Sequence, residues 1–299
     1  MKRPSSVVIA FLAASITNCL ASDLSKNDPM TPVPLPAQVS ASEGIAELPG
    51  TRLDYWDTGG EGPAIVLLHP ATGSALIWAY QQPVFAKAGY RVIAYSRRGH
   101  HNSAPVPQDN PGTAVDDLHN LIGLLGIGKF HVVGSAAGCA VAIDYALSHP
   151  ERLLSITLAG GTGGVRDPDY LRVSEGLRSK GFNDMPPDFR ELGPSYRAAN
   201  PEGVKAWLEL EHHAVTGNRL GQKPANEVTW DRLRQLLVPT LLIAGDADLV
   251  QPPALMRLFR RNIPNSELVV VPEAGHSVYW ERPDVFNSAV LHFVGRHSR

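Results

Sequence analysis

The sequence predicts an α/β protein, a doubly wound and mostly parallel sheet with a helical cap insertion. Short runs of strand length recur along the chain and are apolar on both faces, as the strands of a buried parallel sheet are. Stretches with apolar residues at helical spacing separate these runs, and this alternation builds right-handed crossovers. One interval of about 75 residues contains no strand-like run, which is far more than a crossover needs and predicts the insertion.

The elements are predicted in chain order. Residues from about 45 to 57 are expected to form one or two antiparallel edge strands. Parallel strands are predicted at 64–68, 91–95, 131–133, 153–158, 240–244 and 268–271. Core helices are predicted at 78–87, 114–125, 140–148 and 285–294, and helical pieces of the insertion at 169–179, 189–199, 201–215 and 230–237. The predicted core therefore comprises residues 46–161 and 237–299, and the predicted cap comprises residues 162–236.

The first residues are typical of a secretory signal peptide. Lys2 and Arg3 precede an apolar run over 7–16, which is too short to span a bilayer. Small residues at Cys19 and Ala21 predict cleavage after Ala21, and hence a secreted or periplasmic protein. A lipid anchor on Cys19 is disfavoured by the residues that precede it. Residues 22–45, which are rich in proline, are expected to form an extended lead-in with little core.

The composition excludes several classes of protein. The chain has 43% hydrophobic and 19% charged residues, and Lys plus Arg (27) nearly balances Asp plus Glu (29), for a net charge of −2. No long block of one sign exists to hold nucleic acid or an anionic membrane. We expect a small-molecule substrate as the partner, and the residues leave the oligomeric state open. Only Cys139 remains after cleavage, so no internal disulfide can form.

The glycines and histidines predict neither a cofactor nor a metal. The glycine-rich run 160–164 lacks the Lys-Ser/Thr of a nucleotide loop and is expected to be a hinge at the start of the cap. Flavin and nicotinamide motifs are not recognised. His100, His101, His212 and His213 have no carboxylate or cysteine at a recognisable ligand spacing, so a solvated or pocket role is expected for them.

A tight turn of small residues follows the strand predicted at 131–133. It reads Gly134-Ser135-Ala136-Ala137-Gly138 and leads into a helix, which is the context of a nucleophile elbow. The central residue of such a turn sits on a strained bend, and its neighbours two before and two after must be small. Gly134 and Gly138 meet that need, which makes Ala136 the central residue.

Four further segments appear in the order of one family. The loop 67–74 resembles an oxyanion loop, 96–103 resembles an Arg-Gly-x-Gly-x-Ser turn, 245–248 resembles an acid turn, and 274–276 resembles a histidine loop. Together with the elbow they make the chain resemble an α/β-hydrolase from about residue 53 to the C-terminus. The resemblance implies the α/β-hydrolase fold, with a helical cap that shapes the substrate pocket.

The resemblance also implies catalytic roles. Position 136 is the nucleophile position, Asp248 orients, and His276 is the general base, in the chain order of that fold. Asp246 is an alternative acid, although the family spacing favours Asp248. The backbone N–H groups of Ala71 and Ala137 would form the oxyanion hole.

An alanine at position 136 cannot attack a carbonyl, and three interpretations follow. In the favoured one, the chain is a form inactivated by a Ser-to-Ala replacement, since the other parts of the site are intact. In the second, the chain is a non-catalytic relative that binds a ligand in the same pocket. In the third, Ser135 attacks from one position earlier, but this would put the β-branched Val133 at a position that must be small.

The predicted reaction is hydrolysis of a carboxylic ester or lactone through an acyl-enzyme. A capped carbon–carbon bond hydrolase uses the same triad and is an alternative. Candidate substrate-binding residues are the oxyanion-loop and elbow residues His69 and Ser135, with Trp78, Tyr196, Trp207 and His212. At helical spacing, the aromatic residues among them are equally typical of packing. The acyl and alcohol groups of the substrate cannot be told apart from the residues.

Overall fold

The computed structural model describes residues 28–161, 163–216 and 221–298. Its strands form one eight-stranded sheet in the order β1-β2-β4-β3-β5-β6-β7-β8 within these residues. Their bounds are Ser42–Leu48 (β1), Thr51–Asp57 (β2), Ala64–Leu68 (β3), Arg91–Tyr95 (β4), Phe130–Ser135 (β5), Leu153–Ala159 (β6), Thr240–Gly245 (β7) and Ser266–Val271 (β8).

The sheet is parallel except at one edge. Strands β3 to β8 pair in parallel, whereas β1 and β2 form an antiparallel hairpin and β2 pairs antiparallel with β4. The parallel set was predicted from the apolar runs, and one or two antiparallel edge strands were predicted for residues from about 45 to 57. The structure therefore confirms the predicted fold class.

Helices cover both faces of the sheet. In chain order they are Gln82–Lys87 (α1), Ala114–Leu124 (α2), Ala137–Ser148 (α3), Pro168–Gly176 (α4), Pro187–Glu191 (α5), Pro194–Ala199 (α6), Pro201–His212 (α7), Trp230–Arg234 (α8), Pro253–Asn262 (α9), Val278–Glu281 (α10) and Pro283–Arg296 (α11). Adjacent residues of one strand face opposite sides: Val66 packs in the cluster with α2, α3 and α9, and Leu67 in the cluster with α1 and α11. This two-faced burial explains why the strand sequences are apolar throughout.

Helices α4 to α8 lie between β6 and β7, where the insertion is predicted. The predicted single helix over 189–199 is wrong, because the chain is broken into α5 and α6 at Gly193-Pro194. A proline nitrogen cannot donate in a helix interior, and it begins α6 instead.

Two further helical predictions need correction. The predicted helix over 78–87 is a 3₁₀ turn, Ala75–Trp78, followed by α1, where Pro83 lies at the helix start. Helix α9 was not predicted, although Leu255, Met256 and Phe259 are buried on one face of it. Its signal was present in the spacing of these apolar residues.

The N-terminal lead-in contacts the core from Val33 onward, whose carbonyl oxygen accepts from Tyr80 Oη (3.0 Å). Val39 N–H donates to Gln82 Oε1 (3.0 Å), and Gln82 Nε2 donates to Val39 O (2.8 Å). The predicted signal peptide over 1–21 lies outside the described residues. Among the helices of the described part of the chain, none is long and apolar enough to cross a membrane.

Candidate active site

The elbow lies where β5 meets α3. Ser135 ends the strand, Ala137 begins the helix, and Ala136 between them has φ 47° and ψ −110°. An L-residue rarely adopts this conformation, which costs on the order of 1–3 kcal/mol and is typical of functional turns. The N–H of Ala136 donates to Ala159 O on the neighbouring strand (2.9 Å), which helps to hold the bend in place.

Glycines make room for the elbow. A Cβ on Gly134 would lie 2.7 Å from the carbonyl carbon of Gly138, and a Cβ on Gly138 would overlap the carbonyl oxygen of Leu68. Only glycine fits at either place, as the turn sequence predicts.

The end of β6 borders both the elbow and the histidine. A Cβ on Gly160 would lie 3.0 Å from His276 Nδ1, and a Cβ on Gly161 would overlap the carbonyl oxygen of Ala136. His276 and Ala136 therefore both face this pair of glycines. The predicted hinge at 160–164 is, at these two positions, a packing surface between the two candidate catalytic residues.

His276 and Asp248 form a buried pair after adjacent parallel strands. Asp248 follows β7 and His276 follows β8, and His276 Nδ1 lies 2.9 Å from Asp248 Oδ2. The other oxygen of Asp248 accepts N–H bonds from Val250 and Gln251, each 2.8 Å long, so the carboxylate is fixed in orientation. Asp246, the alternative acid, is exposed and accepts instead from the N–H of Glu273.

Electrostatics favour a charged imidazole at this site. Burial alone would lower the pKa of His276, but attraction to Asp248, the hydrogen bond between them, and the carboxylates of Glu191 and Glu281 raise it to about 9. A ring hydrogen-bonded through Nδ1 to a carboxylate is held in the orientation that a general base needs.

Glu281 ties the histidine loop to the cap. Its Oε2 accepts from the N–H groups of Gly193 (2.7 Å) and Gly275 (2.9 Å), and its Oε1 accepts from Ser277 N–H (3.2 Å). Burial raises the pKa of Glu281 to about 7, although these three donors favour the carboxylate form. The sequence reasoning missed this residue, because Gly193 lies 88 residues away along the chain.

Glu191 makes a second tie to the same loop. Its carbonyl oxygen accepts from His276 N–H (2.8 Å) and Ser277 N–H (3.0 Å), and its carboxylate accepts from Thr72 Oγ1 (3.2 Å) in the oxyanion loop. Burial raises the pKa of Glu191, against the attraction of His276. The sequence analysis did not identify Glu191 either, because no motif in the neighbouring residues indicates its role.

The two proposed oxyanion donors lie after neighbouring strands. Ala71 follows β3 and Ala137 follows β5, and these strands pair in parallel with Leu68 opposite Gly134. Within the described residues, neither N–H has a backbone acceptor. As the first residue of α3, Ala137 also has no partner inside its helix.

Three residues predicted as substrate contacts are buried. His69 is fully buried, with Nε2 accepting from Arg97 N–H (2.9 Å) and Nδ1 lying 2.7 Å from Pro70 O. Ser135 is 1% exposed, and its Oγ has no partner among the described residues, so it makes no local hydrogen bond. Trp78 is fully buried against Tyr279. All three side chains are buried, as His276 and Asp248 are, and their role as substrate contacts stays a prediction.

The cap candidates are mostly packing residues. Trp207 is fully buried, and Tyr196 is buried and accepts from Asn200 Nδ2 (3.2 Å). His212 is exposed at the end of α7, beside His213. The spacing could not separate packing from pocket-lining, because both roles require one apolar helix face.

The remaining polar candidates have local roles. Cys139 is buried, donates to Gly134 O (3.2 Å) and has a raised pKa through burial, so it is a poor nucleophile. In the described part of the chain, no three histidine, cysteine or carboxylate side chains gather as metal ligands. A cavity of about 380 Å³ opens beside the elbow, with Ala137 and His100 in its wall.

Comparison with known proteins agrees with this geometry. A model of the alpha/beta hydrolase family matches residues 65–289. Over 270 residues the chain is 31% identical to the 2-hydroxy-6-oxononadienedioate/2-hydroxy-6-oxononatrienedioate hydrolase of Burkholderia vietnamiensis, covering 82% of this chain and 91% of the relative.

Solved structures show the same likeness. A thermophilic esterase from Thermogutta terrifontis has a TM-score of 0.68 and 25% identity, over 87% of this chain and 100% of that one. An N-acyl homoserine lactone degrading enzyme has a TM-score of 0.66 and 25% identity, over 84% of this chain and 100% of that one. The sheet order and the family match together show that the chain belongs to the α/β hydrolase family.

Proposed function

We propose that this chain is the scaffold of a serine hydrolase for carboxylic esters or lactones, inactivated by alanine at the nucleophile position 136. One observation carries the proposal: Ala136 holds the strained elbow conformation and packs against Gly161, while His276 of the buried His276–Asp248 pair packs against the adjacent Gly160. Backbone strain of this kind is typical of functional turns, and a purely structural turn has no need of it.

A serine at position 136 would complete the site. Because the pKa of His276 is raised to about 9, the ring would act in its neutral form, whose share grows as the pH rises towards that value. The neutral ring would take the proton of the hydroxyl during attack on the carbonyl carbon and return it to the leaving group, while Asp248 stabilises the imidazolium. The N–H groups of Ala71 and Ala137 would hold the negative charge that develops on the carbonyl oxygen. Water would then hydrolyse the acyl-enzyme by the same steps.

The known relatives support hydrolysis as the reaction class, and one of them favours the alternative of carbon–carbon bond hydrolysis. An esterase and a lactone-degrading enzyme share the fold at 25% identity, which favours ester or lactone hydrolysis. The 31% identical relative is named for an oxo acid, which favours the carbon–carbon bond hydrolase as the second candidate. The alanine itself favours a third, a ligand-binding protein without turnover.

The test compares the chain with its Ala136→Ser variant. We expect only the serine variant to react with a fluorophosphonate probe and to hydrolyse short-chain or medium-chain chromogenic esters, by roughly 10⁴-fold or more over the alanine form. Ala140→Ser, one helical turn later and exposed, is the matched control and is expected to stay silent.

Each of the other possible results would support a different function. Turnover by the alanine form would overturn it and make Ser135 the residue to replace. If Ala136→Ser hydrolyses only oxo acids, the carbon–carbon alternative is correct. If it is folded and silent on both substrate classes, the chain is a binding protein.

A further inference from the structure

The cavity beside the elbow is lined by positive side chains. It lies between the first turns of α3 and the segments that enter and leave the cap helices, and its volume of about 380 Å³ is within the range of small-molecule sites. We call it the cationic cavity; among its lining residues are Arg97, His100, Ala137, Asp144, Arg166 and Lys223.

Arg97 is a partly buried guanidinium without a carboxylate partner among the described residues. Its Nη2 donates to the carbonyl oxygens of His69 (3.2 Å) and Pro70 (3.1 Å), and its Nε is buried with no acceptor in the described part of the chain. Burial lowers the pKa of Arg97, because the cation has lost water without gaining an anion. A carboxylate bound in the cavity would supply the missing negative charge.

The other charges that border the cavity are already satisfied. Arg98 is paired with Asp117 through two bonds of 2.8 and 2.6 Å. The Asp144 carboxylate accepts from the N–H groups of Ala225 (2.8 Å) and Asn226 (2.9 Å). Neither group is available to neutralise Arg97.

Two further cations stand at the exposed side. Arg166 and Lys223 are exposed, and neither forms an ion pair with any residue for which the structure gives a position. Burial and the charge of Arg97 lower the pKa of His100, so this ring is neutral at physiological pH. With Arg98 paired to Asp117, the cations Arg97, Arg166 and Lys223 outnumber the single carboxylate of Asp144 in the wall, so the field of the cavity is positive on balance and attracts anions.

The cavity meets the elbow at Ala137. This residue lines the cavity and also carries one proposed oxyanion N–H. A substrate whose carbonyl oxygen accepts from Ala137 would extend one arm along the cavity wall towards Arg97.

We propose that the cationic cavity binds a carboxylate on one arm of the substrate, so that the hydrolase selects esters or lactones that carry a free acid group. Arg97 is the recognition residue, and Arg166 and Lys223 draw the anion in. This inference rests on the proposed function, and it deepens that function by naming the substrate class.

The test measures binding to the chain with Ala136, which does not turn the probes over. Calorimetric titration with the monoethyl esters of succinate, glutarate and adipate is compared with titration of the corresponding diethyl esters. We expect at least one monoester to bind about tenfold more tightly than its diester, and the preference to shrink as salt is added.

Variants locate the anion. Arg97→Met is expected to remove the preference for the monoester, and Lys223→Met to reduce it severalfold without touching the oxyanion loop. Arg257→Met, an exposed arginine on α9, is the charge-matched control and is expected to bind like the parent. Lys223→Met keeps the test valid if Arg97→Met fails to fold.

The two proposals fail separately. Equal affinity for every monoester and diester pair, or an equal loss in Arg257→Met, would overturn the anion site even if Ala136→Ser hydrolyses neutral esters. Selective binding of a monoester that depends on Arg97, with Ala136→Ser silent on that same monoester as well as on the neutral esters, would support the anion site and reject the hydrolase.

Discussion

Ala136 holds a backbone conformation that glycine adopts without strain. With φ 47° and ψ −110° it lies outside the regions open to L-residues, and only the surrounding contacts keep it there. A natural serine hydrolase accepts this strain because the side chain at the bend is the nucleophile. In this chain the strained conformation is kept although alanine has no nucleophilic group.

Replacing Ala136 with glycine is therefore expected to stabilise the protein. Relief of strain should exceed the entropy that glycine adds to the unfolded chain, for a net gain of about 1 kcal/mol in the free energy of unfolding. Urea denaturation of Ala136→Gly measures this gain. Ala137→Gly, one residue later at the start of α3, is the control and should be neutral or destabilising; a loss of stability in Ala136→Gly would contradict the strain.

The His276–Asp248 pair makes stability depend on pH. The folded pKa of His276 is about 9 and its ordinary value is 6.5, so the folded protein holds a proton that the unfolded chain releases between these values. The stabilisation is complete below about pH 6.5 and is lost as the pH rises through 9.

We expect the free energy of unfolding to fall over this window by up to about 1.4 kcal/mol per pH unit. Denaturant titrations at a series of pH values measure the slope, and the slope should be shallower in His276→Gln. His213→Gln, at an exposed histidine, should keep the slope of the parent. Equal slopes in the parent and His276→Gln would show that the pKa of His276 is not raised.

At the scale of elements, the active-site loops are joined to the cap by buried carboxylates. The turn between α5 and α6 presses against the histidine loop so closely that a Cβ on Gly193 would lie 2.8 Å from Gly275 N. This contact buries the N–H groups of Gly193 and Gly275. Both donate hydrogen bonds to the carboxylate of Glu281 at the end of α10. The orientation of His276 thus depends on an element of the insertion.

Glu281→Gln is expected to weaken this junction. In Glu281 both carboxylate oxygens accept backbone N–H groups, whereas in glutamine one of these atoms is an amide nitrogen, which cannot accept. At least one buried N–H is then left without a partner, which costs about 1–3 kcal/mol. Thermal and urea unfolding measure the loss. Glu273→Gln is the control in the same loop, exposed and bonded to Ser195 Oγ, and should change stability by less than about 0.5 kcal/mol.

Strands and helices could be predicted where the apolar pattern of one short segment was sufficient. Strands β3 and β4 have the bounds that their apolar runs predict, 64–68 and 91–95. The helix predicted to start at 140 begins at Ala137, because the elbow feeds directly into α3. Helix α9 was not predicted, although its buried face has helical spacing and its polar residues lie on the other face.

At the scale of the whole molecule, the strand order brings the site together. Strands β3, β5, β6, β7 and β8 are neighbours in the sheet, and their carboxyl ends carry Ala71, Ala136, Gly160, Asp248 and His276. Ligands of open α/β sheets bind beyond this edge. The chain order of the motifs becomes a spatial constellation only because parallel strands end on the same side.

The sequence by itself determined the sheet class, the antiparallel edge, the elbow with its two small neighbours, and the order of the family motifs. These properties depend on local periodicity and on steric demands of single turns, which residues close in the chain express. The likeness to α/β hydrolases could therefore be recognised before any coordinates.

Only the tertiary structure decided which of the candidate side chains are buried and which partners they have. It paired Asp248 with His276 and left Asp246 exposed, buried His69 and Trp78, and brought Glu191 and Glu281 to the histidine loop. It also left Arg97 without a carboxylate beside the elbow. These outcomes depend on contacts between residues far apart in the chain, and burial and charge pairing arise only when the elements pack.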